Sequence, residues 1–215
     1  MFRKIIFITI FVLLLIGAIV GVFLFGKFTY QDEETKFRKS LKGEIVFTRR
    51  DGLYLNIYKI NANGTGEKML YHHNIDEPNL NSFLPEWSDD GLNIYFTAMK
   101  NKEWKKFEID INGNNIQFLK QGTKFKLGLT NQDTREKDII MDLGSISYLN
   151  EKGEKNLVLS HKNFDPDLNP GPEEVSWSPD KKYIIFELDG YITIINKEGS
   201  KMVKIVEGME PDWKY

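Results

Sequence analysis

Cysteine is absent from the chain, which excludes disulfide staples, thiol nucleophiles, cysteine metal sites and an acylated lipoprotein cysteine. Histidine is scarce: only His72, His73 and His161 could serve as imidazole bases or ligands. Neither sign of charge dominates, with 29 Lys+Arg against 31 Asp+Glu, so the basic excess of a nucleic-acid-binding chain is missing. No G-x-S-x-G elbow, H-E-x-x-H helix or glycine-rich phosphate loop occurs. No serine nucleophile is placed beside a histidine by sequence. The carboxylate pair Glu173-Glu174 reads as two solvated loop residues. Together these absences predict a protein that is not an enzyme, with no catalytic residues, no metal and no cofactor.

Long apolar runs are also missing, with one exception. Ile5 to Gly26 contains no charged residue over 22 positions. At about 1.5 Å per residue such a helix covers about 33 Å, enough to cross a hydrocarbon core of about 30 Å. A cleavable signal peptide is the rival. The run is longer than an h-region of about 7–15 residues, and no A-x-A-like site closes it. The expected layout is a short basic tail over 1–4, a transmembrane signal anchor over 5–26 that uses the lipid bilayer as its partner, a charged juxtamembrane stalk over 27–42, and one domain over 43–215. Counted literally, the lysines and arginines after the segment favour a cytoplasmic domain. The short basic head, Arg3-Lys4, has the form of a signal anchor that translocates the downstream chain. The expected location is therefore the cell membrane, single-pass, with the C-terminal domain extracytoplasmic.

Aromatic residues make up 13% of the chain, with 4 Trp and 9 Tyr, ample for packing between sheets. They recur in order. Pro85–Ala98 reads PEWSDDGLNIYFTA, the order returns at Val175–Glu187 as VSWSPDKKYIIFE, and its opening returns in Pro211-Asp212-Trp213. A second mark is an aliphatic residue followed by Asn or Asp, two variable residues and Gly. It occurs at Asn61–Gly64, Asp110–Gly113, Asn150–Gly153 and Asn196–Gly199. The unit is about 45 residues, the size of a four-stranded blade. In such a turn Asn or Asp caps the chain locally and Gly takes the positive φ.

The Trp motif marks a different place in each unit. Leu129 stands where the third unit should have its Trp, and the first unit begins at Gly43 without an opening strand. Pro211–Tyr215 is an opening strand with nothing after it, and pairing it into the first unit removes an exposed sheet edge. The predicted fold is all-β: a small propeller of four blades closed by the C-terminal strand and preceded by one transmembrane helix. Trp87, Trp177 and Trp213 are expected to pack between blades, and Asp90 and Asp180 to cap their turns.

The order Pro-x-Trp-Ser-x-Asp-Gly, then x-x-Ile-x-Phe and a strand ending in Asn/Asp-x-x-Gly, resembles the TolB-type β-propeller repeat. Residues 85–119 resemble a full repeat and 172–206 a second in which Lys181 replaces the turn Gly. Residues 43–70 resemble a repeat lacking its first strand, and 126–160 resemble one loosely. The resemblance implies a ring of four-stranded blades used as a non-catalytic protein-binding scaffold at the cell envelope, without naming the partner.

One further duplication is outside that scheme. His72, Asn74 and Asp76 follow Leu70 with the same spacing as His161, Asn163 and Asp165 follow Leu159. Long connections of this kind alternate with short ones, which predicts that both histidines lie on one face in opposite blades. Imidazole, amide and carboxylate together could bind a metal or a polar ligand, giving an alternative reading as an extracytoplasmic small-ligand or metal sensor. Plain structural duplication accounts for the same pattern. Asp110–Asn115 superficially matches a calcium loop but lacks the distal bidentate Glu.

Overall fold

In the computed structural model residues 16, 17, 20, 21, 32–72, 80–119, 138–142, 144–163 and 171–214 are described. Successive stretches of this chain form hairpin-linked strands. The first holds β1 (Glu44–Asp51), β2 (Tyr54–Asn61) and β3 (Lys68–Tyr71); the next holds β4 (Ser82–Trp87), β5 (Asn93–Lys100), β6 (Glu103–Asp110) and β7 (Gln117–Phe118). Then come β8 (Ile139–Asp142), β9 (Ser145–Leu149) and β10 (Lys155–Leu159). The last stretch holds β11 (Glu173–Trp177), β12 (Tyr183–Leu188), β13 (Tyr191–Asn196), β14 (Met202–Glu207) and β15 (Met209–Lys214).

These make four antiparallel sheets: β15-β1-β2-β3, β4-β5-β6-β7, β8-β9-β10 and β11-β12-β13-β14. The first is built from both ends of the domain. Glu44 pairs with Lys214, Ile45 with Trp213 and Val46 with Asp212, so the terminal strand supplies the missing opening strand, as its sequence predicts. The third sheet has three described strands; Leu129, expected to open it, lies outside the described residues.

Burial patterns report how the sheets stack. In β5 only alternate residues Ile94, Phe96 and Ala98 are fully buried, the signature of one covered face. In β12 and β13 the runs Ile184-Ile185-Phe186 and Ile192–Ile195 are continuously buried, because both faces of that sheet are covered. Ile185, Ile192 and Ile194 meet Ile45, Phe47 and Ile60 of the first sheet. Ile184, Phe186 and Ile195 meet Ile146 and Val158 of the third. The first sheet turns Val46 and Ile57 the other way, onto Ile94 and Phe96 of the second. The spatial order is second, first, fourth, third. Among the described residues no apolar cluster joins the second sheet to the third.

The Trp turns are built alike. Ser88 Oγ donates to Asp90 Oδ1 (2.6 Å), and the Leu92 and Asn93 N–H groups donate to Asp90 Oδ1 and Ser88 Oγ. Ser178, Asp180, Lys182 and Tyr183 repeat the pattern. Lys181 adopts φ 54° where its counterpart is Gly91, so a lysine tolerates the left-handed site here. Each Trp then bridges to a neighbour: Trp87 Nε1 donates to Asp212 O, Trp177 Nε1 to Asp138 Oδ1 and Trp213 Nε1 to Lys42 O.

The N-terminal part departs from the expected stalk. The charged stretch is helical over residues 32–40, and it is docked. Phe37 and Leu41 are buried with Tyr183 and Trp213 between the first and fourth sheets. Arg38 donates to the carbonyls of Lys204 and Ile205. An i, i+4 apolar pair amid charges is enough to seat one face of a short helix. No helix of the described residues is long and apolar enough to cross a membrane. Most of the anchor expected over 5–26 lies outside the described residues.

Candidate functional site

The strand directions give the stacked sheets two distinct ends. One end carries the turns after Trp87 and Trp177, the Asn/Asp-Gly turns and the docked helix 32–40. The other carries the β1–β2, β5–β6 and β12–β13 hairpins at Gly52-Leu53, Asn101-Lys102 and Asp189-Gly190. Gly144 lies against Gly171 there, so the third sheet is oriented like the fourth.

At the hairpin end the opening strands share a feature invisible to motif matching. The residue three before each Trp has a positive φ: Leu84 (54°), Glu174 (49°) and Glu210 (54°). Strand register slips at the same places. Left-handed backbone at a residue with a Cβ costs about 1–2 kcal/mol, and each of these bulges re-aims a side chain. Glu210 Oε2 accepts hydrogen bonds from Thr48 Oγ1 (2.6 Å) and from the Leu84 N–H (2.7 Å), tying β15 to β1 and β4.

Glu173 pairs with Glu187 across β11 and β12, and the negative charges of Glu210 and Glu173 are felt by both Glu174 and Glu187. None forms an ion pair with a described Lys or Arg. Enclosure by protein atoms pushes the Glu187 carboxyl up to about 7, with repulsion from Glu173, Glu174 and Glu210 adding to it. Glu174 is raised for the same reasons, burial first and then Glu210 and Glu173. Glu174 touches solvent on its outer side while protein surrounds the rest. Glu173 and Glu174 are exposed, as expected, but they stand on a strand and not in a loop. They open β11, where Glu173 stands opposite Glu187. Aligning the chain on its Trp residues would have put Glu174 and Glu210 at one position.

Glu187 predicts a pH dependence. Its folded-state proton is held to about pH 7, whereas an unfolded carboxyl releases it near 4.5. The folded state therefore binds more protons between these values, and stability from this group falls as pH rises through that window. Discounted for its partial solvent contact, the effect is about 1–2 kcal/mol. Urea titration of Glu187→Gln is expected to show that gain over wild type at pH 8 and no gain at pH 4.

His72 and His161 both lie at this end. His72 follows the outer strand β3, and His161 follows the outer strand β10, in sheets that share no apolar cluster among the described residues. Ser145 anchors His161, its Oγ accepting from the His161 N–H (2.9 Å) and lying 3.1 Å from Nδ1. His161 and Asn163 form a single 3₁₀ turn with Lys162; Asn74, Asp76 and Asp165 lie outside the described residues. Among the described residues no three His, Asp or Glu side chains form a metal-holding group. The calcium-like loop is spent on itself: Asp110 accepts from the N–H groups of Asn112 and Asn114 and from Asn115 Nδ2.

At the same end the hairpins expose apolar surface. Leu53 is 81% exposed, Trp104 46%, Tyr54 44% and Tyr191 40%. Trp104 rests edge-on against Phe83 at 5.0 Å. Exposed apolar and aromatic side chains on neighbouring hairpins are the kind of surface that recognises another molecule.

Three four-stranded antiparallel sheets and one of three described strands, stacked face to face with the last strand of the chain in the first sheet, are consistent with a small propeller. No protein-family model matches the chain, and no curated protein does. Among solved structures, TolB from Acinetobacter baumannii aligns over 80% of this chain and 43% of its own at 14% identity, with a TM-score of 0.31. The nidogen/laminin complex aligns over 74% of this chain and 60% of that one, at 16% identity and a TM-score of 0.27. The chain thus spans less than half the length of the TolB it aligns with, and likeness at this level assigns no function.

Proposed function

We propose that this chain is a membrane-anchored, non-catalytic scaffold that binds a protein partner at the cell envelope through the hairpin end of a four-bladed propeller. The observation that carries this reading is the opposition of the two ends. The helix over 32–40 is packed on one end, so a segment anchored over 5–26 would hold that end toward the bilayer. The other end, with its exposed Leu53, Tyr54, Trp104 and Tyr191, would then face away from the membrane. Rigid stacked sheets hold such a surface in a fixed shape, and tethering in the membrane plane raises the encounter rate with other envelope proteins. Closure of the ring between the second and third sheets is part of the same proposal, since residues 120–137 lie outside the described residues.

Two measurements test it. Protease added to intact cells with a permeable envelope is expected to degrade the 43–215 domain; survival until the membrane is lysed would sink the extracytoplasmic placement. A photo-crosslinking amino acid at Tyr191 is expected to capture a distinct protein in cells, whereas the same group at Lys197, on the helix end, captures much less. Equal yields at the two sites would remove the hairpin end as the binding surface.

A further inference from the structure

The end opposite the hairpins holds an open cleft of about 440 Å³, a volume within the range of about 300–1,000 Å³ usual for small-molecule sites. Three segments build it. The docked helix gives Phe37, the turn after Trp177 gives Lys182 and Tyr183, and the turn between β13 and β14 gives Lys197, Glu198 and Lys201. Hydrogen bonds fix its walls. The Lys197 N–H donates to Lys182 O at 3.0 Å and ties the two turns together. The Asn196 side chain closes the second turn, accepting from the Lys201 N–H at 2.7 Å and donating to Glu198 Oε2 at 2.8 Å. Phe37 and Tyr183, with ring centroids 5.9 Å apart, give the cleft an apolar side.

Its charge is unbalanced toward the positive. Lys182 is held by Asp180, but among the described residues no carboxylate pairs with Lys197 or Lys201, and both are exposed. The acidic residues of the helix are spent on Lys36 and Arg38, while Lys39 and Lys42 stay exposed. The described part of that helix begins at Asp32, six positions after the apolar run ends at Gly26. Six residues reach at most about 22 Å. With residues 5–26 in a bilayer, the cleft is therefore held beside the headgroup layer. We infer that the cleft between the docked helix and the β11–β12 and β13–β14 turns binds the headgroup of an anionic phospholipid, its phosphate lying between Lys197 and Lys201. This rests on the membrane-anchored reading above and adds the lipid that the anchored end selects. Lysine ammonium groups are point charges with three donors each, suited to a phosphodiester, and an anionic leaflet attracts them within about a Debye length. Binding there fixes the tilt of the sheets over the bilayer and turns the hairpin end outward.

The test reconstitutes the full chain in nanodiscs of equimolar phosphatidylglycerol and phosphatidylcholine. A photo-crosslinking amino acid replaces Ser40, which also lines the cleft, and mass spectrometry reads the lipid adducts. Phosphatidylglycerol is expected to be captured about 10-fold more than phosphatidylcholine. The Lys197→Gln/Lys201→Gln double variant, checked for an unchanged melting profile, is expected to lose most of that preference, and Lys102→Gln/Lys105→Gln at the hairpin end to keep it. Absence of any lipid adduct, equal capture of the two lipids, undiminished preference in the first variant or equal loss in both variants would overturn the inference. Suppression of capture by inorganic phosphate alone would assign the cleft to free phosphate instead of lipid. Carbonate extraction of cell membranes reads the anchor separately. Release of the chain removes the anchored reading and this inference with it, whereas retention combined with equal capture removes the inference alone.

Discussion

Replacing Trp213 by alanine is expected to lower stability by about 3–5 kcal/mol, the range for removing a buried large aromatic side chain. Trp213 is 5% exposed and lies in the cluster where the first and fourth sheets meet. Its ring stacks on Tyr183 at 5.9 Å, and its Nε1 donates to Lys42 O at the end of the docked helix. The substitution therefore loosens three connections together: the terminal strand, the fourth sheet and the N-terminal helix. Since domains of this size are stable by about 5–15 kcal/mol, the variant should retain only part of its cooperative unfolding transition. Deleting residues 209–215 is expected to be worse. It strips β1 of its partner, exposes a strand edge prone to intermolecular pairing, and removes the Asp212 carboxylate that accepts from the Trp87 N–H at 2.7 Å. Urea melts of Trp213→Ala and size-exclusion profiles of the deletion check both statements. A Trp213→Ala variant as stable as wild type would show that the clasp contributes little beyond strand pairing. Trp213→Phe should recover most of the loss, since it keeps the stacking and gives up only the hydrogen bond.

The clasp was legible because it is a fragment of a repeat: Pro211-Asp212-Trp213 has the same order as Pro85-Glu86-Trp87. The caps at Asp90 and Asp180 were legible for the same reason, local chemistry at a fixed offset from Trp. What sequence did not disclose depends on distance through space. Glu173 and Glu174 look like any exposed pair until β11 is laid beside β12 and against β15. Phe37 and Leu41 are two apolar residues in a charged stretch, and only the cleft beside Tyr183 gives them a reason to be buried. The positive φ at Leu84, Glu174 and Glu210 falls on residues with no conformational preference for it; packing of the opening strands imposes it. The His72 and His161 duplication was read from sequence, but its chemical meaning rests on residues 73–79 and 164–170, which lie outside those described.

The glycines that mark the repeat carry the second large effect, and they separate two roles that sequence merges. Gly64, Gly113, Gly153 and Gly199 occupy one turn position with φ between 71° and 84°, so alanine at any of them meets the same left-handed cost of about 1–2 kcal/mol. The surroundings differ. A Cβ on Gly199 would lie 2.2 Å from the Val158 carbonyl oxygen, and one on Gly113 would lie 3.0 Å from the Leu70 carbonyl oxygen. In each case the obstacle is the backbone near the outer edge of the sheet packed alongside, so the glycine lets two sheets approach. A Cβ on Gly153 meets nothing within 4 Å, as its place on the face of the third sheet away from the fourth requires. Gly199→Ala is thus expected to cost about 2–4 kcal/mol, combining the φ penalty with a forced backbone shift of the kind that overpacking produces. Gly153→Ala should show the φ penalty alone. Urea denaturation of the two variants measures the difference directly, about 1–2 kcal/mol in favour of Gly153→Ala. Equal losses would mean that the turn conformation, and not the close approach of sheets, explains why glycine recurs in this chain.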